Sequence, residues 1–400
     1  MTKPTLLVLA STYPRWRDDP EPGFVHELAR RLTDRFRVVV LCPHANGALE
    51  YETMDSVEIH RYRYAPQRWE TLVNDGGMVS NVQHSPWKAL LLPGFFIGQL
   101  FAAYRAVRRY RPTVVHAHWL IPQGIVATAL SLAGSSSPFL VTSHGGDLYA
   151  LKSWPFRWIK RAVIRRSARL AVVSEGMLQQ VAALGADMSK VVVEPMGADL
   201  SGRFVPDPTV PRSRTEILFV GRLVEKKGLR FLIAAMHAIR AAVPGATLTV
   251  AGFGPELEMR KEQVRDLELQ DAVRFLGAVP QSELPSLYRR AALFVAPFVE
   301  ATSGDQDGLG LVLIEALGCG CPVLVSAIPA VRRLAETCNG VHTVPPGSTA
   351  ALADAISRLV RSPQPVDPNE VQGFDWHVRA GAYAALLDTV MRRCEVASPR

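Results

Sequence analysis

Short apolar runs alternate along this chain with stretches whose apolar positions recur at helical spacing. Runs at 6–10, 37–41, 113–118, 139–147, 170–175 and 191–193 read as strands of a first half. Runs at 217–220, 247–251, 273–277, 293–297 and 323–325 read as strands of a second. Between them lie amphipathic segments: 24–32, with Phe24, Leu28 and Leu32 on one stripe, 229–242, a helix opening at 312, and a final run to Met391. Buried strands alternating with helices predict parallel α/β sheets. Residues 205–214 carry Pro206, Pro208 and Pro211 and read as a linker, and 363–369 is again proline-rich. The predicted organisation is an α/β domain over 1–204, a second over 205–372 and a terminal helix over 373–400.

Composition narrows this picture. A chain of 400 residues is too long for one core. Its 48% hydrophobic and 20% charged residues fit a soluble globular protein. Its five cysteines are odd in number, and Cys319-x-Cys321 lacks a second pair at zinc spacing, so packing or free thiols in a reducing cytoplasm are expected. The sequence enters its first strand without a basic-then-apolar leader, and no signal peptide is expected.

The net charge of +8 is uneven, +7 in residues 1–200 and +1 in 201–400. Residues 101–170 hold 11 basic side chains and one acid, Asp147. Such a patch suits anionic lipid, a polyprenyl phosphate or nucleic acid, or it solvates the surface; no recognition motif supports nucleic acid. The segment 87–104 is apolar, is broken by Pro93-Gly94, and runs into Arg105, Arg108, Arg109 and Arg111. It reads as too short and too interrupted to span a bilayer. It either lies on a membrane surface or packs on the sheet.

The chemistry concentrates at strand ends. The first strand–helix turn, STYPRWRDDPEPG, has no G-x-G-x-x-G, which argues against a dehydrogenase. His118 and His144 end two strands, where parallel sheets bind ligands, and Asp147 follows closely. In the second half, Arg222 and Lys227 stand in a glycine-bounded turn after a strand, a cradle suited to diphosphate. Downstream, Asp307-Gly308-Leu309-Gly310-Leu311-Val312 leads into a helix carrying Glu315. Helix N-terminal N–H groups between two carboxylates suit a ligand with phosphate at its centre and hydroxyls at its ends, such as a nucleotide sugar.

These residues resemble the retaining glycosyltransferases of family 4. The family signature is Glu, seven residues, Glu, Ala, then Gly and Pro. Here Asp307 replaces the first acid, and Glu315, Ala316, Gly320 and Pro322 match the rest. Met196-Gly197-Ala198-Asp199 with Phe204 resembles the family's interdomain segment, with Met where Asn is usual. The resemblance implies two Rossmann-like domains facing across a cleft (GT-B), with the C-terminal helix crossing back to the first domain. It implies an acceptor-side first domain, a donor-binding second domain and no metal or cofactor. It assigns the pyrophosphate to Arg222 and Lys227, the ribose to Glu315, the sugar to Asp307 and His144, and the base to backbone near Gly277. Gly23 is the match for a glycine beside the donor phosphate. His118 and Asp147 fall on the acceptor side. The expected activity is transfer of a hexose from a nucleotide-diphosphate sugar, UDP- or GDP-linked, to a glycan, lipid-linked or small-molecule acceptor. The expected place is the cytoplasm or the inner face of the membrane. A nucleotide-sugar epimerase, a phosphorylase of similar architecture and a non-catalytic nucleotide-sugar binder remain open.

Overall fold

The computed structural model describes residues 3–74 and 77–397, and side chains as far as Arg392. Cys394 therefore lies outside the described side chains; the other four cysteines are free and buried. The chain divides into two compact units, Met1–Gly197 with Trp376–Arg400, and Ala198–Asp375.

The first unit is built on an eight-stranded sheet of order β3-β4-β2-β1-β5-β6-β7-β8. Its strands are β1 (Thr5–Leu9), β2 (Arg37–Pro43), β3 (Tyr51–Met54), β4 (Val57–Tyr62), β5 (Val114–His118), β6 (Phe139–Ser143), β7 (Arg169–Val172) and β8 (Val191–Val193). All pairings are parallel except β3 with β4. Residues 45–86, which have no clear pattern in the sequence, supply that edge hairpin. The central strands are apolar on both faces because helices cover both. Helices Phe24–Arg31 and Trp376–Ala397 pack together. The second carries Tyr383, Leu387 and Val390, all fully buried. Tyr383 donates to the Glu194 carbonyl at 2.8 Å and Arg379 pairs with the Glu194 carboxylate at 3.0 Å, tying this last helix to the first unit.

Helix Leu92–Tyr110 lies against β1, β2 and β4. The sequence read this stretch as broken at Pro93-Gly94, but the helix is continuous for 19 residues. Pro93 falls in the first turn, where its missing N–H costs no hydrogen bond. Gly94 sits so close to the preceding chain that a Cβ there would lie 2.4 Å from the Tyr64 carbonyl oxygen. With the preceding turn, the segment Pro86–Tyr110 is long and apolar enough to cross a membrane by length and composition. Its inner stripe, Leu91, Phe95, Gln99, Ala103 and Ala106, is instead buried in the domain.

The second unit holds six parallel strands, β9 (Glu216–Val220), β10 (Thr247–Ala251), β11 (Val273–Gly277), β12 (Leu293–Ala296), β13 (Val323–Ser326) and β14 (Val341–Val344). Their order is β11-β10-β9-β12-β13-β14, which is 3-2-1-4-5-6 counted within the unit, as in Rossmann-type nucleotide-binding sheets. One apolar core lies under helices Leu284–Arg290 and Leu311–Gly318, and the other under Leu229–Ala242 and Thr349–Arg361. Residues 198–204 group with this unit, since Ala198, Leu200 and Phe204 are buried in its first core.

Candidate functional site

In the second unit the strand order reverses between β9 and β12. Their outgoing loops diverge there and leave a crevice beyond the carboxyl ends. Loop 221–228 follows β9 and loop 297–310 follows β12. Gly228, at φ +67°, packs so tightly that a Cβ would lie 1.8 Å from the Pro297 carbonyl oxygen, so only glycine lets the two loops meet. Charges join them further. Lys227 Nζ lies 2.9 Å from Asp307 Oδ2 and 4.5 Å from the Phe298 ring centre. Lys226 pairs with Asp305 at 3.0 Å, and the Thr302 hydroxyl donates to Glu225 at 2.7 Å. Arg222 is half-buried and has no side-chain partner among the described residues.

Burial would raise the Asp307 carboxyl, but the charges of Lys227 and Lys226, the Lys227 hydrogen bond and Arg222 outweigh it and hold it below the ordinary carboxylate range. Burial lowers Lys227 despite Asp307. Lys226 and Lys227 are matched by Asp305 and Asp307, so the charge of Arg222 is left uncompensated and makes this crevice receptive to an anion.

Helix Leu311–Gly318 starts in the same crevice, its N-cap Gly310 in the left-handed region at φ +75°. The N–H groups of Leu311 and Val312 belong to the first turn and have no intrahelical acceptor. Gly308 is buried and Leu309 half-buried in the lead-in. Glu315 lies deeper, only 5% exposed, and one of its oxygens accepts a 3.0 Å hydrogen bond from the Tyr288 hydroxyl. Burial pushes its carboxyl up to about 7. Gly277 ends the edge strand β11 at φ +73°, and its carbonyl accepts from the Gly252 N–H at 2.8 Å.

The first unit reverses its strand order between β1 and β5, and histidines gather at that end. His118 is buried at the end of β5, and its Nδ1 lies 3.0 Å from His144 Nε2, just beyond β6. The two rings stack with centres 5.2 Å apart. Trp119 and Phe24 flank His144 at 4.8 and 4.9 Å. His116 Nε2 meets the Thr142 hydroxyl at 2.8 Å behind them. Burial pushes His116 and His144 down to about 3, and burial with the two neighbouring histidines holds His118 well below its ordinary value, so the cluster is neutral at physiological pH.

Two first-half residues differ from the sequence expectation. Asp147, expected on an acceptor surface, is a buried hub. It accepts from the Leu120 N–H at 2.6 Å, the Ser143 hydroxyl at 2.9 Å and the His144 N–H at 3.1 Å, and so sets the His144 backbone. His118, expected at the same surface, is turned inward onto His144. Gly23 caps helix Phe24–Arg31 with an ordinary φ of −89°, and a Cβ there would meet Pro14 at 3.7 Å, so its backbone makes no special demand for glycine.

Sequence reasoning missed the aromatic side chains Phe298, Trp119 and Phe24, which flank Lys227 and His144. Each lies within two residues of a strand end or opens a helix, which was the available signal. Among the described residues no group of three or more His, Cys, Asp and Glu is placed to hold a metal ion.

Two Rossmann-like units, the second with a cationic crevice and a helix N-terminus at its strand-order reversal, define a GT-B glycosyltransferase. Family models agree: residues 204–370 match "Glycosyl transferases group 1" and residues 24–197 a "Glycosyl transferase 4-like domain". The chain belongs to the glycosyltransferases of family 4 type. It is 28% identical over 315 residues to glycogen synthase of Mycobacterium tuberculosis, covering 73% of this chain and 72% of that one. It is 26% identical over 375 residues to phosphatidyl-myo-inositol mannosyltransferase of Mycobacterium leprae, covering 88% and 97%. In fold it is similar to sucrose-phosphate synthase of Thermosynechococcus elongatus, with a TM-score of 0.77 at 22% identity over 99% and 100% of the chains. HepE of Anabaena, solved in complex with UDP, superposes with a TM-score of 0.71 at 16% identity over 96% and 100%.

Proposed function

We propose that this enzyme transfers a hexose from a nucleotide-diphosphate sugar to a glycan or lipid-linked acceptor hydroxyl, with retention of anomeric configuration and without a metal. The bond from the anomeric carbon to the diphosphate oxygen breaks and a bond to the acceptor oxygen forms. The acceptor proton leaves with the diphosphate. Arg222, Lys227 and the N–H groups of Leu311 and Val312 stabilise the negative charge that grows on the leaving group. Preorganised donors of this kind contribute about 3–4 kcal/mol each. Glu315 takes the ribose hydroxyls, Asp307 and His144 the transferred sugar, and backbone at Gly277 the base. A neutral, caged imidazole offers a hydrogen bond to a sugar hydroxyl without adding charge. The family 4 membership and mannosyl- and glucan-synthesising relatives support this reading. The observation that carries it is the pairing of Lys227 with Asp307 beside an unpartnered Arg222.

Relatives named for GDP-mannose and a structural neighbour holding UDP make those two bases the first candidates. A lipid-linked acceptor would place the enzyme at the cytoplasmic side of a membrane. The test is a thermal-shift panel of UDP-, GDP- and ADP-sugars. At least one should raise the melting temperature, and the same one should support transfer to an acceptor. A flat panel would refute the reading.

A further inference from the structure

Helix Leu92–Tyr110 is amphipathic in an unusual sense, because its outward stripe is also apolar. Leu90, just before it, is 81% exposed, Ile97 68% and Phe101 61%, with Leu100 beside them. Residues on the solvent side of a domain helix are normally polar. The final turns of the same stripe turn basic, with Arg105, Arg108 and Arg109 exposed. Arg105 leans over the Phe101 ring at 5.6 Å, and none of the three has a carboxylate partner among the described residues. Between Asp75 and Asp147 the sequence contains no acid.

A second helix repeats the pattern. Helix Trp154–Arg166 exposes Trp154 by 78% and Trp158 by 62%, and ends in Arg165 and Arg166. Helix Ile125–Leu132 packs between these two, so all three share one face of the first unit. Leu92–Tyr110 ends just before β5 begins, and Trp154–Arg166 just before β7. Both therefore run against the strands, and their apolar beginnings lie toward the sheet's carboxyl edge, where His118 and His144 sit.

We propose that this face docks on an anionic lipid bilayer. Leu90, Ile97, Leu100 and Phe101, with Trp154 and Trp158, enter the headgroup–acyl boundary, and the arginines engage lipid phosphates. The inner stripe stays on the sheet, so the helix lies in the interface and does not cross. Apolar burial with basic flanks, rich in tryptophan, is the signature of interfacial helices, and basic residues near an anionic surface add electrostatic attraction. A second copy of the chain is a poorer occupant, because pairing this face with itself would bring like-charged arginines together. The proposal deepens the reading above by delivering a lipid-linked acceptor along the surface that ends at the histidine edge.

The test is co-sedimentation of the full chain with phosphatidylcholine vesicles, with and without 30 mol% phosphatidylglycerol. The wild type should pellet with the anionic vesicles and much less with neutral ones. Ile97→Glu and Phe101→Glu, whose side chains point to solvent, should keep the melting temperature and lose at least tenfold in partitioning. Arg105→Gln with Arg108→Gln should lose several-fold and become less sensitive to salt. Wild type left in the supernatant, or glutamate variants that pellet equally, would overturn the proposal. A dimer that Phe101→Glu dissociates would also overturn it, by giving the face to a second copy. Nucleotide-sugar binding is measured without vesicles, so failure there leaves this result standing and the converse also holds.

Discussion

The carboxyl ends of the two sheets occupy the same topological position and hold opposite chemistry. In the second unit the crevice is ionic: Lys226 and Lys227 are each paired with an aspartate, and Arg222 is left open. In the first it is neutral: three buried imidazoles lie among aromatic rings, and one buried carboxylate, Asp147, holds the backbone of His144. Identical strand logic thus leaves the loops free to choose between binding a charge and orienting an uncharged, hydroxyl-rich group. A diphosphate needs the first and a sugar the second. On the proposed reading the Lys227–Asp307 pair is a resting state: a donor phosphate would draw Lys227 away and free the carboxylate for a hydroxyl.

The largest effect that would break this contrast belongs to the ionic side. Arg222→Ala should cut turnover by about 100- to 1000-fold. Its side chain has no partner among the described residues, so the melting temperature should stay put; a steady-state assay with calorimetry decides it. Undiminished turnover would leave the crevice without its diphosphate role.

A somewhat smaller effect sits on Glu315, and its sign is set by pH. Burial lifts this carboxyl from 4.5 to about 7, so the folded state holds a proton that the unfolded chain releases. Its contribution to stability is fully present below about pH 4.5 and is lost as pH rises toward 7. Glu315→Gln keeps an acceptor for Tyr288 and removes the loss. It should be more stable than wild type at pH 8 by on the order of 3 kcal/mol, and equal to it at pH 4. Urea melts at the two pH values check this, and the same variant should bind donor more weakly.

On the neutral side, Asp147→Asn should act through position. Losing part of its hold on the Leu120, Ser143 and His144 groups misplaces His144, at a cost of about 10- to 100-fold in kcat. Affinity for the free nucleoside diphosphate, read by thermal shift, should be untouched. Loss of that binding instead would merge the two regions into one function.

Much of this was legible in the chain. Arg222 and Lys227 stood out because glycines bracket cations directly after an apolar run, and helix 229–242 emerged with the bounds it has in the fold. Asp147 misled because closeness in sequence to a strand end says nothing of direction, and its side chain turns to backbone N–H groups. The β3–β4 hairpin escaped because Tyr51 and Glu52 on its edge strand are partly or wholly open to solvent and give no hydrophobic alternation. Pro93 and Gly94 looked like breakers, yet one begins the helix and the other lets it touch the Tyr64 backbone. Burial and close approach are properties of the assembled chain, and no local pattern encodes them.

The route of the chain has a practical consequence. The second unit is entered at Ala198 and left at Asp375, and these ends are held side by side: the Ala198 N–H donates to the Phe374 carbonyl at 2.9 Å and the Leu200 N–H to the Asp375 carboxylate at 3.0 Å. Topologically it is a cassette spliced into its host just ahead of the host's closing helix. Excising 198–375 and fusing Gly197 to Trp376 through a few glycines therefore yields a contiguous polypeptide for the histidine-bearing unit, whereas a simple cut at the first linker strips that unit of Tyr383, Leu387 and Val390.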